Sequence, residues 1–131
     1  KFLQLFVNFY LLVIVKNLYH LSTCSTCQRI INDLNLSSDI EQQDIKNTPI
    51  TKEQLQELVQ LSGNYEALFN KRARLFLAQK KEGFQPNESA FKHLLLEHYT
   101  YLKRPVFVLD KQIFIGNSKK TIDAVKSALN E

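Results

Sequence analysis

Residues 16–34 read KNLYHLSTCSTCQRIINDL, a stretch that combines an apolar strand signal, two cysteines and a helical pattern. Residues 17–21 are a short strand candidate that runs directly into Ser22, Thr23 and the first of two cysteines. From Ser25 onwards, apolar residues recur at the spacing of one helix face: Ile30, Ile31, Leu34 and Leu36. The hydroxyl of Ser22 or Thr23 suits the N-cap of that helix, which we expect to end near Asn35. The stretch therefore predicts a strand, a tight turn and a helix.

Cys24 and Cys27 are the only two cysteines of the chain. A secreted domain stapled by disulfides would use more cysteines at wider spacing, and closing so short a ring restrains little unfolded chain. A helix start stabilises a thiolate, so the spacing favours a cytosolic redox pair in which Cys27 attacks an adduct formed at Cys24. Two unreactive thiols or half of a zinc site are the alternatives. Zinc needs two further ligands, and only His20, His93 and His98 are available.

The remaining chain alternates strand and helix signals. In chain order we predict a strand at 40–45, a helix from Thr51 to Gly63 opened by a capping box with Gln54, one or two short helices at 65–77, a helix at 88–98, strands at 106–109 and 112–115, and a last helix after 116–118. The order β-α-β, helices, β-β-α indicates an α/β domain with a helical insertion, spanning residues 16–131.

Composition narrows the function class. The chain has 131 residues, 44% of them hydrophobic and 23% charged, which suits one globular domain. The net charge of +4 is mild and scattered, so direct nucleic-acid binding is not predicted. A basic excess of this size favours an anion or an acidic partner surface.

Residues 1–15 carry an apolar run between Lys1 and Lys16 that is interrupted by Gln4 and Asn8. The run is shorter than the roughly 20 residues that span a bilayer, and no small-residue cleavage site follows it. We interpret it as an extension outside the domain; a packed strand or helix and a membrane-associating leader are the alternatives. Membrane binding is the least favoured of the three.

Three motifs together resemble the arsenate reductase (ArsC)/Spx family. They are Tyr19-His20-x-x-x-Cys24-x-x-Cys27, Asn70-Lys71-Arg72 and Leu102-Lys103-Arg104-Pro105-Val106. The resemblance implies a thioredoxin-like fold, a four-stranded mixed sheet with a helical insertion, and a cis peptide bond between Arg104 and Pro105 facing the cysteine.

The resemblance also implies roles for single residues. Cys24 would be the attacking thiolate, and Arg72 and Arg104 would hold an oxyanion, since guanidinium groups match such oxygens. His20 would help to keep Cys24 deprotonated. Lys71 and Arg74 are interpreted as solvated charges, and no metal or bound cofactor is expected.

Two departures from the family pattern bear on substrate choice. ArsC enzymes carry a third arginine where this chain reads Ile115-Gly116-Asn117-Ser118, and Lys119 or Lys120 would be the substitute. Cys27 is absent from many glutathione-coupled ArsC proteins and present in Spx-like ones. Both departures favour chemistry in which the second cysteine closes an internal disulfide.

The leading interpretation is a cytoplasmic thiol-dependent oxidoreductase. It would act on a small oxyanion or a disulfide, and glutathione, glutaredoxin or thioredoxin would serve as external reductant. The alternatives are an Spx-like redox-sensing regulator that binds the RNA polymerase α-subunit, and an inactive scaffold that retains the fold.

Overall fold

A computed structural model describes residues 15–131, in which four strands form one mixed sheet. The strands are β1 (Lys16–His20), β2 (Glu41–Asp44), β3 (Val106–Leu109) and β4 (Gln112–Ile115). Their order across the sheet is β2-β1-β3-β4. β1 pairs with β2 in parallel and with β3 antiparallel, and β3 and β4 form an antiparallel hairpin. The predicted four-stranded mixed sheet is confirmed.

Five α-helices surround this sheet within residues 15–131. They are α1 (Ser25–Leu34), α2 (Lys52–Ser62), α3 (Arg74–Lys81), α4 (Glu88–Glu97) and α5 (Lys119–Leu129). Helices α2 to α4 lie between β2 and β3 in the order of the chain, so the predicted helical insertion is confirmed. The segment predicted as one or two short helices at 65–77 is a 3-10 turn, Glu66–Leu68, followed by α3, which runs four residues further than expected.

Several helix ends follow directly from the sequence. Thr51 accepts a hydrogen bond from the backbone N–H of Gln54, whose side chain accepts one from the backbone of Thr51 in return. This capping box begins α2 as predicted. Gly63 ends the same helix with φ 94, and Asn35 ends α1 with φ 50; both values lie in the left-handed region.

The sheet separates two apolar layers, because successive residues of a strand point to opposite faces. One face carries Leu18, Phe107 and Leu109, which pack with Val125 of α5. The other carries Tyr19, Val106 and Val108, and the insertion covers it with a larger cluster that includes Leu55, Phe76 and Leu94. The insertion therefore forms the second layer of the domain around a shared sheet.

The interpretation of residues 1–15 as an extension lies outside the described residues except for Val15, whose carbonyl accepts a hydrogen bond from the Asp110 N–H at 2.6 Å. Within residues 15–131, the helices are all too short or too polar to cross a membrane.

Candidate thiol site

Cys24 stands at the junction of β1 and α1. Its backbone N–H donates to the Leu21 carbonyl at 3.0 Å, which turns the chain, and its own carbonyl accepts the first helical hydrogen bond from Gln28 at 3.1 Å. Cys24 is thus the N-cap residue of α1, and the prediction of Ser22 or Thr23 at that position was wrong. The side chain at an N-cap faces the backbone N–H three residues on. That residue is Cys27, and its backbone N–H lowers the pKa of the Cys24 thiol, although the sulfur does not form a regular capping hydrogen bond.

The two thiols differ sharply in exposure and in acidity. Cys24 is partly exposed and Cys27 is fully buried, and both are free. Burial acts to raise the pKa of Cys24, but the backbone N–H and the thiol of Cys27, together with the Arg104 guanidinium, outweigh it and leave that pKa below its ordinary value. Burial and the neighbouring Cys24 raise the pKa of Cys27 to about 12. The site therefore pairs a more acidic thiol that solvent reaches with a less acidic, buried thiol behind it.

Arg104 is held in place by the backbone. Its Nη1 donates to the carbonyl oxygens of Thr100 at 3.0 Å and Leu102 at 3.1 Å, and the side chain is half-buried. The Arg104–Pro105 peptide bond is cis, as the family resemblance predicts. A guanidinium carries five N–H donors, so anchoring Nη1 leaves the others able to face an anion beside Cys24.

Arg72 reaches the same site through long-range backbone pairing. Phe69 and Leu102 form an antiparallel bridge. On either side of it, the Asn70 N–H donates to the Tyr101 carbonyl at 2.7 Å, and the Lys103 N–H donates to the Leu68 carbonyl at 2.8 Å. This clamp joins segments about 30 residues apart in the chain, and it carries the basic residues that follow Asn70 to the side of Arg104. The structure thus brings together Cys24, Arg72 and Arg104.

These residues line one open cleft of about 830 Å³. Its lining is Cys24, Asn64, Glu66, Ala67, Phe69, Asn70, Lys71, Arg72, Lys103, Arg104, Ile115, Gly116, Asn117 and Ser118. Four of these side chains are cationic and only Glu66 is anionic, so the lining as a whole attracts anions. Asn64, Lys103 and Asn117 were not predicted as site residues. Lys103 and Asn117 lie in stretches that the family resemblance singles out, but that resemblance assigns them no role, and no pattern connects Asn64 to the cysteines.

The lysines near the site differ from the sequence predictions in their positions. Lys71 is exposed, as a solvated charge should be, but it also lines the cleft and forms an ion pair with Glu66. Lys119, offered as a substitute for a third arginine, is absent from the lining and pairs with Asp123 at 2.9 Å, one helical turn along α5. Lys120 does not line the cleft either. At this wall the cleft offers the uncharged Asn117 and Ser118 instead.

His20 lies at the end of β1, and its surroundings favour the neutral form of the imidazole. Its Nδ1 is 3.2 Å from the side-chain nitrogen of Gln28. Burial lowers the pKa of His20 below its usual range, and nearby Asp44 does not reverse the shift. The imidazole is therefore neutral at pH 7 and supplies no positive charge to Cys24. Within residues 15–131, no three or more His, Cys, Asp or Glu side chains are grouped so that they could hold a metal ion.

Comparisons with known proteins bear on the family and the fold of this chain. The sequence model of the ArsC family matches residues 19–125. Among solved structures, the protein called YffB is 21% identical, with a TM-score of 0.70 over 88% of this chain and 99% of its own. An arsenate reductase from Vibrio cholerae is 18% identical, with a TM-score of 0.67 over 89% and 99% of the two chains. An arsenate reductase (ArsC) related protein from Brucella melitensis is 18% identical, with a TM-score of 0.62 over 84% and 92%. A comparison with curated protein sequences gives no match.

Proposed function

The chain belongs to the ArsC family, and we propose that it is a thiol-dependent oxidoreductase in which Cys24 is the nucleophile and Cys27 the resolving thiol. The observation that carries the proposal is the joint presence, in one cleft, of a Cys24 thiol with a lowered pKa and two arginines, with the buried Cys27 one helical turn behind. This arrangement favours a small anionic substrate, because Arg72 and Arg104 can donate paired hydrogen bonds to its oxygens.

In the first step the Cys24 thiolate attacks the oxidised atom of the substrate. With arsenate, a sulfur–arsenic bond forms and one oxygen leaves as water after taking up two protons. With a disulfide, a sulfur–sulfur bond forms and one thiolate leaves. Arg104 stabilises the thiolate before attack, and the arginines hold the substrate oxygens near the sulfur.

In the second step Cys27 attacks the sulfur of Cys24. The Cys24–Cys27 disulfide forms, the bond from Cys24 to the substrate breaks, and the electron pair of that bond leaves with the reduced product. Part of the high pKa of Cys27 comes from the negative charge on Cys24. Adduct formation converts the thiolate into an uncharged sulfur, so with a disulfide substrate Cys27 becomes easier to deprotonate. With arsenate the bound oxyanion is itself negative, and Arg72 and Arg104 must neutralise its charge for Cys27 to gain the same advantage.

An external thiol must then reduce the disulfide. Glutathione, glutaredoxin or thioredoxin would supply the two electrons, and no bound cofactor is required. A cleft of 830 Å³ lies in the range that holds small organic ligands, so a tetrahedral oxyanion fills only part of it. The remaining cationic lining suits the carboxylates of glutathione. Such reducing systems operate in the cytoplasm, which is the location we propose.

A turnover assay tests this function. The reduced protein is supplied with arsenate or a low-molecular-weight disulfide, together with glutathione and glutaredoxin or with thioredoxin, and NADPH consumption by the coupled reductase is followed. We expect turnover that is abolished in Cys24→Ser. In Cys27→Ser it should stall at the adduct when thioredoxin is the only reductant, whereas added glutathione can resolve the adduct in place of Cys27. Wild-type protein that reduces neither substrate with either reductant contradicts the proposal.

The same cysteine pair also fits a redox-sensing regulator that binds the RNA polymerase α-subunit. In that case the Cys24–Cys27 disulfide would alter partner binding without substrate turnover. Binding of purified α-subunit to the reduced and oxidised protein separates the two functions. Turnover without binding in either redox state supports the enzyme, and redox-dependent binding without turnover supports the regulator.

A further inference from the structure

Gln28 connects the two elements that carry the cysteine motif. It lies in α1, one residue after Cys27, and its side chain reaches back to the end of β1. There its Nε2 is 3.0 Å from the Leu21 carbonyl oxygen and 3.2 Å from Nδ1 of His20. The same Leu21 carbonyl accepts the backbone N–H of Cys24. The side-chain amide of Gln28, in the helix after the cysteine turn, thus contacts His20 and Leu21, which precede the turn.

The hydrogen-bonding chemistry of this contact has one consistent solution. The Leu21 carbonyl can only accept, so the NH₂ end of the Gln28 amide must face it. That group has two protons, and the second points at His20. Nδ1 must then present a lone pair, which means that His20 is neutral and carries its proton on Nε2.

The charges around His20 agree with this tautomer. Burial lowers the pKa of His20, and Asp44 at the end of β2 is the charged group that acts against it among the residues described. The Asp44 carboxylate already has hydrogen-bond partners, since its Oδ1 accepts hydrogen bonds from the backbone N–H groups of Ser22 at 3.1 Å and Lys46 at 3.2 Å. Asp44 therefore holds the cysteine turn from the β2 side, while Gln28 holds it from within the helix.

We propose that Gln28 is a positioning residue, which ties the start of α1 to His20 and Leu21 and so keeps the Cys24 sulfur in front of the Cys27 backbone N–H. This inference rests on the proposed role of Cys24 as nucleophile and adds to it. His20 is then a neutral acceptor that orients Gln28, in place of the direct role towards Cys24 that the family resemblance implies.

The test combines two readouts on reduced, full-length protein. The first is the pH profile of Cys24 alkylation by iodoacetamide, and the second is the protonation state of His20 by NMR. Gln28→Leu removes both donors at similar size, and we expect it to move the midpoint of the alkylation profile upward by about half to one pH unit, a loss of about threefold to tenfold in thiolate at acidic pH. Gln28→Glu should raise the pKa of His20, because a carboxylate accepts a proton from Nδ1.

Gln43→Leu is the matched control. Gln43 is also a partly buried glutamine whose side-chain nitrogen donates to the Thr48 carbonyl and to Gln54, but on β2 and outside the cleft. Its replacement should change neither readout. In the wild-type protein at pH 7, His20 should be neutral with the proton on Nε2.

Three outcomes overturn the role of Gln28. One is a folded Gln28→Leu variant with the wild-type alkylation profile. The second is a Gln43→Leu variant that shifts the profile as far. The third is a wild-type His20 protonated on Nδ1, which decides the matter even where Gln28→Leu does not fold. A wild-type Cys24 that reacts like an ordinary thiol contradicts the proposed function instead, so the two failures are distinguishable.

Discussion

Replacing Arg104 by methionine should weaken the thiolate at Cys24 directly. The guanidinium acts on the sulfur by hydrogen bonding and by charge. A hydrogen bond to a charged group contributes about 1.5–3 kcal/mol, which is about one to two pKa units. Cys24 is partly exposed to water, so we expect the lower end, and Arg104→Met should raise the pKa of Cys24 by about one unit.

The assay is the rate of Cys24 alkylation between pH 5 and 10. A rise of one unit lowers the thiolate fraction about tenfold at acidic pH, but a thiolate of higher pKa is intrinsically more nucleophilic, which returns about threefold per unit. The observed rate at acidic pH should therefore fall only about threefold. The midpoint of the profile, which moves to higher pH by the full unit, is the quantity to measure.

Arg74→Met is the matched control for this substitution. Arg74 is exposed on α3 and does not line the cleft, so its loss changes the net charge equally without touching Cys24. Arg104→Met also leaves the carbonyls of Thr100 and Leu102 without their donor, so urea unfolding must show that the variant is folded at the assay temperature. An unchanged midpoint in folded Arg104→Met, or an equal shift in Arg74→Met, refutes the assigned role of Arg104.

Three further predictions concern stability. The fold raises the pKa of Cys27 from 9.0 to about 12. The stability linked to this protonated thiol is therefore complete below pH 9 and is lost as the pH rises towards 12. In Cys27→Ala, urea unfolding under reducing conditions should show a smaller loss of stability over this alkaline range. Hydrogen bonds from Ser22 lower the pKa of Asp44 below its ordinary value of 3.8. The ionised carboxylate therefore stabilises the fold above pH 3.8, and this contribution is lost as the pH falls further. The difference in unfolding free energy between wild type and Asp44→Asn should be present at pH 7 and shrink below about pH 4. Thr51→Ala breaks the capping box with Gln54 and should reduce the free energy of unfolding by about 1 kcal/mol, and a loss under a few tenths would show that the cap is unimportant.

The local features of the fold were predictable from the sequence because short-range rules control them. The capping box at Thr51 and the left-handed ends at Asn35 and Gly63 each depend on a few adjacent residues. The N-cap of α1 was misassigned because hydroxyl residues usually fill that position, whereas here Cys24 takes it. The site chemistry thus overrides an ordinary preference for Ser or Thr.

The composition of the cleft was less predictable, because tertiary contacts assemble it. The bridge between Phe69 and Leu102 decides that Lys71 and Lys103 face the cleft, and nothing near either lysine in sequence indicates that pairing. Lys119 shows the opposite case. It follows the cleft wall closely in sequence, but an i,i+4 ion pair with Asp123 holds it along α5.

In the proposed reaction Cys24 is the attacking thiol and Cys27 the resolving thiol. Mass spectrometry of the fully reduced protein, quenched with an alkylating agent after a single turnover with arsenate and no added thiol, tests both roles. We expect an intramolecular Cys24–Cys27 disulfide in wild type, and in Cys27→Ser an adduct on Cys24 that no internal thiol resolves. The same experiment with a low-molecular-weight disulfide extends the test to the second substrate class. If both cysteines stay free and alkylatable in wild type after exposure to either oxidised substrate, these roles of Cys24 and Cys27 are wrong.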